Sequence, residues 1–414
     1  MGIIVQKFGG TSVGSPERII HVANRIIQEV NAGNQVVVVV SAMGKTTDQL
    51  VGLAADISSS PSKREMDMLL STGEQVTIAL LSIALLEKGY DAISYTGWQA
   101  GIQTESLHSN ARITDIDISR VKQSLDEQKI VVVAGFQGVS ANGEITTLGR
   151  GGSDTTAVAL AAALKAEKCD IYTDVTGVFT TDPRYVTSAR KLQSISYDEM
   201  LELANLGAGV LHPRAVEFAK NYEMPLEVRS SIEYENGTII EEEVSMEKNL
   251  VVRGIAFEDQ VTRVTVCGLP NGLQTLSTIF GTLAKHGINV DIIIQSTYAH
   301  DKTNISFSVK TDDLRDTIGV LESNKELLRF DEIQHEGGLA KVSIVGSGMV
   351  SNPGVAADMF QVLANEEIQV KMVSTSEIKV STVVEQQNMV KAVEALHNAF
   401  NLSSIAQEKT QVRA

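Results

Sequence analysis

The chain of 414 residues contains two cysteines, one tryptophan and seven prolines, and only 5% of it is aromatic. Cys169 and Cys267 lie far apart in apparent strands, which excludes a disulfide-stapled secreted scaffold and fits two buried thiols in a reducing compartment. Long apolar runs are missing as well. Residues 157–164 form the longest low-polarity stretch, too short to span a bilayer and rich in Ala rather than Leu. The N-terminus, MGIIVQKFGG, has neither the basic nor the apolar region of a signal peptide, so a cytoplasmic location is expected. Basic charge is scarce, with 35 Lys and Arg against 51 Asp and Glu and a net charge of −16. That balance argues against nucleic acid or an anionic membrane as partner. It leaves ATP open, because a nucleotide site needs only a few local donors.

What remains is an ordinary soluble composition, 43% apolar and 21% charged, in a chain too long for one core. To about residue 230, β-branched runs such as the five valines at 36–40 and IVVVA at 130–134 alternate with helical periodicity. Runs of this kind suit strands buried on both faces of a mainly parallel sheet. Ser15 and Pro16 suit the start of a helix whose stripe is Ile19, Val22, Ala23, Ile26, Ile27 and Val30. A layered α/β/α domain is expected over 1–232, followed by an acidic linker and boundary over 233–262.

Beyond the boundary the chain repeats itself. Residues 279–293 (IFGTLAKHGINVDII) align without gaps with 359–373 (MFQVLANEEIQVKMV). Each copy opens with a short strand, RVTV or KVSI, and the order β-α-β-β-α-β follows. Two ferredoxin-like α+β units are expected, over 263–335 and 338–403, with a tail at 404–414.

Four segments concentrate chemistry. In KFGGTSV, Gly9 and Gly10 let backbone amides approach an anion at a helix start, and Lys7 adds a mobile charge. An ordinary strand-to-helix turn with a solvated lysine is the competing reading. SAMGKTTD imitates a P-loop, but Val39 stands where the first glycine belongs, so a P-loop is rejected. LGRGGSDTTA places Arg150, Ser153 and Asp154 at a helix start, with a guanidinium suited to bidentate carboxylate recognition. In YTDVTGVFTTDPR, Asp174 and Asp182 could serve Mg²⁺ or ribose and Arg184 phosphate, or all three could simply shape turns. Glu74 in LLSTGEQ is compatible with a helix first turn alone.

Together KFGGTSV, VVVVVSAMGKTTDQL, LLSTGEQ, TTLGRGGSDTTA, YTDVTGVFTTDPR and GAGVLHPRAV resemble the amino-acid kinase superfold. Within it they resemble the monofunctional aspartate kinases, most closely the lysine-sensitive Gram-positive type. The C-terminal repeat is similar to that family's paired ACT domains. The resemblance implies transfer of the γ-phosphoryl group of ATP, with Mg²⁺, to the β-carboxylate of L-aspartate. It implies catalytic roles for Lys7 and Asp174. ATP would lie against Lys7, Phe8, Gly9, Gly10, Ser41, Thr173, Asp174, Phe179, Thr180, Thr181, Asp182 and Arg184. Aspartate would meet Thr47, Glu74, Arg150, Gly151, Gly152, Ser153 and Asp154. Gly209 departs from the family pattern, in which a longer side chain such as Lys is common.

Lysine, alone or with threonine, is the effector the resemblance implies, acting at an ACT–ACT interface. The helix from Thr275 carries an apolar stripe (Leu276, Ile279, Phe280, Leu283, Ala284) expected to pack inward. That leaves Gly272, Gln274, Thr275 and the strand at 289–292, with Asn289, Val290 and Asp291, to meet the effector. Asp291 could meet the effector's ammonium or could simply be a solvated strand residue, and Lys371 at the equivalent place in the second unit would repel the ammonium. Oligomerisation through the ACT units is expected, as is a shorter regulatory subunit started at Met246. The competing readings are a kinase of the same fold acting on glutamate, carbamate or a nucleotide, and a non-catalytic amino-acid sensor.

Overall fold

A computed structural model of the chain describes residues 2–207, 209–242, 251–299 and 301–403. These fall into two compact units. The first comprises residues within Met1–Phe179, Lys191–Asn205 and Gly209–Lys248, and the second those within Thr180–Arg190, Leu206–Ala208 and Asn249–Ala414.

The first unit is built on an eight-stranded sheet. In spatial order its strands are Ser194–Ser196, Thr238–Glu241, Leu226–Ser230, Lys168–Thr173, Ile3–Phe8, Gln35–Val40, Ile130–Ala134 and Ala92–Tyr95. Only the Leu226–Ser230 and Thr238–Glu241 pair is antiparallel. Val36 to Val40 are all at most 1% exposed, so both faces of this strand are covered. Burying each such side chain contributes about 1.5–3 kcal/mol, which is why an unbroken valine run settles at the centre of a parallel sheet.

One face of the sheet is closed by the helices Pro16–Asn31 and Thr72–Glu87, through Ile19, Val22, Ile26, Ile78, Leu81 and Leu85. Ser15 caps the first of these, accepting from the Arg18 N–H at 3.3 Å, with Pro16 in its first turn. Against the sheet lies the Ala-rich helix Gly152–Leu164, most of whose side chains are buried. A separate four-stranded sheet (Ile113–Ile116, Ile102–Thr104, Gln137–Ser140, Ile145–Thr147) ends beside the turn that leads into this helix.

Two expectations are corrected here. The stretch Lys63–Glu87, not 157–164, is the most membrane-like segment, being long and apolar enough to cross a bilayer by length and composition. Its Ile78, Leu81 and Leu85 belong to the core just described. The stretch 233–262 is not simply a connector, since it contains the sheet strand Thr238–Glu241 and the start of the strand Gly254–Pro270.

The second unit is one continuous six-stranded antiparallel sheet with long central strands, Gly254–Pro270 and Glu332–Val345. Each serves both repeats. Residues 254–258 pair with 341–345, while 263–267 pair with 332–336. The expected opening strands RVTV and KVSI are therefore only parts of longer ones. In the helix Thr275–Lys285, Ile279 and Leu283 are buried and Phe280 is partly so, but Leu276 and Ala284 are exposed. The expected stripe was too wide, and Thr282 fills the buried line in their place. The strand expected at 289–292 begins at Asp291 and runs to Ala299, so Asn289 and Val290 precede it. Cys169 is buried, Cys267 is partly buried, and both are free thiols.

Candidate active site

Lys7 sits near the C-terminal end of the central strand Ile3–Phe8, the end at which parallel α/β sheets hold ligands. Its Nζ lies 2.5 Å from Asp154 Oδ1 at the start of the helix Gly152–Leu164, and both side chains are largely buried. The Phe8 side chain points into the core instead, stacked on Tyr172 with ring centroids 4.5 Å apart. Only the backbone of Phe8 faces the loop, its carbonyl accepting from the Ser41 N–H at 3.1 Å.

Gly10 permits a close approach that no side chain would allow. A Cβ there would lie 2.8 Å from the Ala42 carbonyl oxygen, and the Gly44 N–H donates to Gly10 O at 3.0 Å. The first glycine loop and the 41–44 loop thus form one backbone surface. Thr47 lies half-buried in the helix Thr46–Ile57 that follows.

Glu74 closes this surface from below. The residue is 3% exposed, and its Oε1 accepts the Ala42 N–H at 3.0 Å. Its Oε2 has no hydrogen-bond partner among the described residues. Burial pushes its pKa up to about 7, against the lowering effect of two backbone hydrogen bonds. A buried carboxylate with an open oxygen is a site in want of a cation.

The turn before the Ala-rich helix is held in left-handed backbone at Gly149 (φ 76°) and Gly151 (φ 68°). At Gly151 a Cβ would overlap the His212 side chain, so the imidazole lies directly on this turn. Burial holds His212 below its ordinary range, opposed by the charge of Asp154. Its Nδ1 accepts from the Arg214 N–H at 3.3 Å, leaving the proton of the neutral ring on Nε2. Gly152, Ser153 and Asp154 are buried, whereas Arg150 is exposed and makes no ion pair among the described residues.

Thr173 and Asp174 end the strand Lys168–Thr173, where the Thr173 hydroxyl donates to Asp174 Oδ1 at 3.0 Å. Asp174 is exposed and Phe179 half-buried. The remaining residues of this motif group elsewhere: Thr180, Thr181, Asp182 and Arg184 belong to the second unit. Thr180 is fully buried, with its Oγ1 2.9 Å from His397 Nε2. Asp182 and Arg184 pair with each other at 2.6 Å, which holds the Asp182 carboxyl below its usual range. Gly209 has φ 63°, a left-handed conformation in which a longer side chain is strained.

His212, Arg214 and Asp67 did not emerge from the motifs as site residues. Asp67 is a fully buried carboxylate set between Met66 and Met68 on the helix Lys63–Leu70, a signal that the sequence did carry.

Residues 2–230 match the amino acid kinase family, and residues 264–324 and 342–400 match the ACT domain. An aspartokinase of Bacillus sp. (strain MGA3) is 75% identical over 406 residues, covering 98% of this chain and 99% of its own. The structure of E. coli aspartokinase III in complex with aspartate and ADP is 28% identical with a TM-score of 0.80, over 96% of this chain and 99% of that one. The same enzyme with lysine and aspartate gives a TM-score of 0.76 at 28% identity, over the same shares. The chain belongs to the aspartokinases, an amino acid kinase domain followed by two ACT domains.

Proposed function

We infer that the chain phosphorylates the β-carboxylate of L-aspartate with ATP to give 4-phospho-L-aspartate, under feedback control by lysine. Glu74 is the observation that carries this reading: an unpartnered buried carboxylate oxygen beside the glycine loops, suited to an ammonium. Asp154 offers a second carboxylate, and the exposed Arg150 a guanidinium for a substrate carboxylate. The attacking carboxylate is already ionised at neutral pH, so no general base is needed. Lys7 stabilises charge on the transferring phosphoryl group, and Gly9 and Gly10 bring backbone donors toward it.

ATP is the phosphoryl donor. Its Mg²⁺ requires only one or two carboxylates beyond the phosphates. Among the described residues no cluster of three metal-ligating side chains exists, and the exposed Asp174 is the group suited to this duty. When bound, Mg²⁺ neutralises charge on the β- and γ-phosphates. Ser41, Thr47, Gly151 to Ser153, Thr173 and Phe179 complete the substrate-facing set. The family resemblance assigns Thr181, Asp182 and Arg184 to the nucleotide as well. Thr180, expected on the nucleotide, is left out of this set: it is fully buried, its hydroxyl engaged by His397, its N–H by the Arg190 carbonyl and its carbonyl by the Ile255 N–H.

Lysine, with or without threonine, is the effector of the ACT pair at Gly272, Gln274, Thr275, Asn289, Val290 and Asp291. Oligomerisation through the ACT units and a cytoplasmic location belong to the same proposal. Met246, the proposed start of a shorter regulatory subunit, lies outside the described residues. ATP–aspartate turnover measured with lysine, threonine and both added in turn tests the whole reading. Lysine should inhibit, and turnover that no amino acid alters would remove the regulatory half.

A further inference from the structure

Arg150 stands on a turn that is held from behind. Asp67, fully buried on the helix Lys63–Leu70, accepts from the Thr147 hydroxyl at 2.6 Å through Oδ1. The Ser109 N–H reaches both of its oxygens, at 3.1 and 3.0 Å, and His108 Nδ1 lies 2.8 Å from Oδ2. Thr147 is the last residue of its strand, three positions before Arg150. From the other side Arg214 spreads its guanidinium over the same turn. It donates to Leu148 O at 2.6 Å, to Asn110 Oδ1 at 3.2 Å and to Ala111 O at 3.1 Å. Gly149 is wedged between these supports, where a Cβ would lie 2.9 Å from Asn110 Oδ1.

A buried carboxylate with three donors and a guanidinium with three acceptors are costly to assemble unless their geometry is needed. Both converge on residues 147–149, and neither belongs to the substrate-facing set. Among the described residues the Arg150 guanidinium has no partner to fix it, so its direction is set by the backbone that carries it. A guanidinium grips a carboxylate with two parallel hydrogen bonds, and a shift of about 1 Å in such a clamp can cost about 10²-fold.

We propose that Asp67 and Arg214 are positioning residues that aim the Arg150 turn at the carboxylate of the amino-acid substrate. This rests on the assignment of Arg150 to that substrate. Neither touches the reacting atoms. Their loss registers in recognition of the amino acid and leaves the nucleotide untouched.

Steady-state kinetics on the full chain test this with Thr147→Val and Thr147→Ser. The valine keeps the shape and removes one hydrogen bond to Asp67, and the serine restores it. Thr147→Val should raise KM for aspartate about five- to tenfold and leave KM for ATP within twofold, while Thr147→Ser returns both to the parent values. Arg214→Lys, which keeps the charge but cannot span three acceptors, should show the same split. Equal rises in both KM values accompanied by a lower Tm, or no change in either, would overturn the proposal. Arg150→Lys is the control. If it leaves KM for aspartate unaltered, the assignment of Arg150 has failed; if it raises that KM and Thr147→Val does not, only the positioning role has failed.

Discussion

The carboxylate of Asp291 lies 2.6 Å from Lys341 Nζ, in an ion pair that Glu258 extends from the other side at 2.9 Å. Lys341 is almost fully buried. The residue proposed to receive the effector's ammonium already holds an ammonium of the chain itself. Its counterpart Lys371 instead meets Glu336 at 3.2 Å, so the two repeats carry reversed charges.

An incoming lysine must therefore compete with Lys341 for Asp291. Asp291→Ala should raise the lysine concentration for half-inhibition about tenfold, with uninhibited turnover within twofold of the parent. That shift corresponds to a coupling loss of about 1.4 kcal/mol, within the usual range for effectors. Inhibition at the parent's lysine concentration would place the effector elsewhere.

Glu74 predicts a pH dependence. Its folded pKa of about 7 stands above its ordinary 4.5. Ionising it in the folded protein therefore costs stability: the contribution is fully favourable below about pH 4.5 and is lost as pH rises through 7. Glu74→Gln should raise Tm at pH 8 and change it little at pH 5. Because the ammonium needs the ionised form, kcat/KM for aspartate should fall below about pH 7 in the parent. The variant should be poor and flat with pH. A parent profile flat from pH 6 to 8 would contradict this role.

Lys7→Ala should lower kcat by about 10²–10³. From the glycine loop alone, little effect on stability is expected. The structure changes that expectation, since removing Lys7 leaves the Asp154 carboxylate largely buried and unpaired. A loss of about 1–3 kcal/mol should follow, recovered in part by Lys7→Ala with Asp154→Asn. Urea denaturation of the two variants checks this.

Much of the catalytic unit was legible because its signals are local. The valine run, the Ser15–Pro16 cap and the paired glycines each specify one strand, cap or loop. Long-range geometry was not. Nothing local says that Phe8 turns into the core against Tyr172, or that Thr180 faces His397 more than two hundred residues away. The long strands shared between the repeats were read as short ones, because Gly254–Pro270 changes partner along its length and its pattern breaks at Glu258 to Val261. Arg214 lay inside a recognised motif, yet its purpose depends on carbonyls of Leu148 and Ala111 that only the fold brings near.

The most direct test of the central claim is to trap the product. The purified chain is incubated with ATP, Mg²⁺, L-aspartate and hydroxylamine, which converts an acyl phosphate into a hydroxamate. Aspartyl hydroxamate should form in step with ADP, fall about 10²–10³-fold in Lys7→Ala, and be absent with glutamate in place of aspartate. ADP release without hydroxamate, or preferential hydroxamate formation from glutamate, would contradict the account.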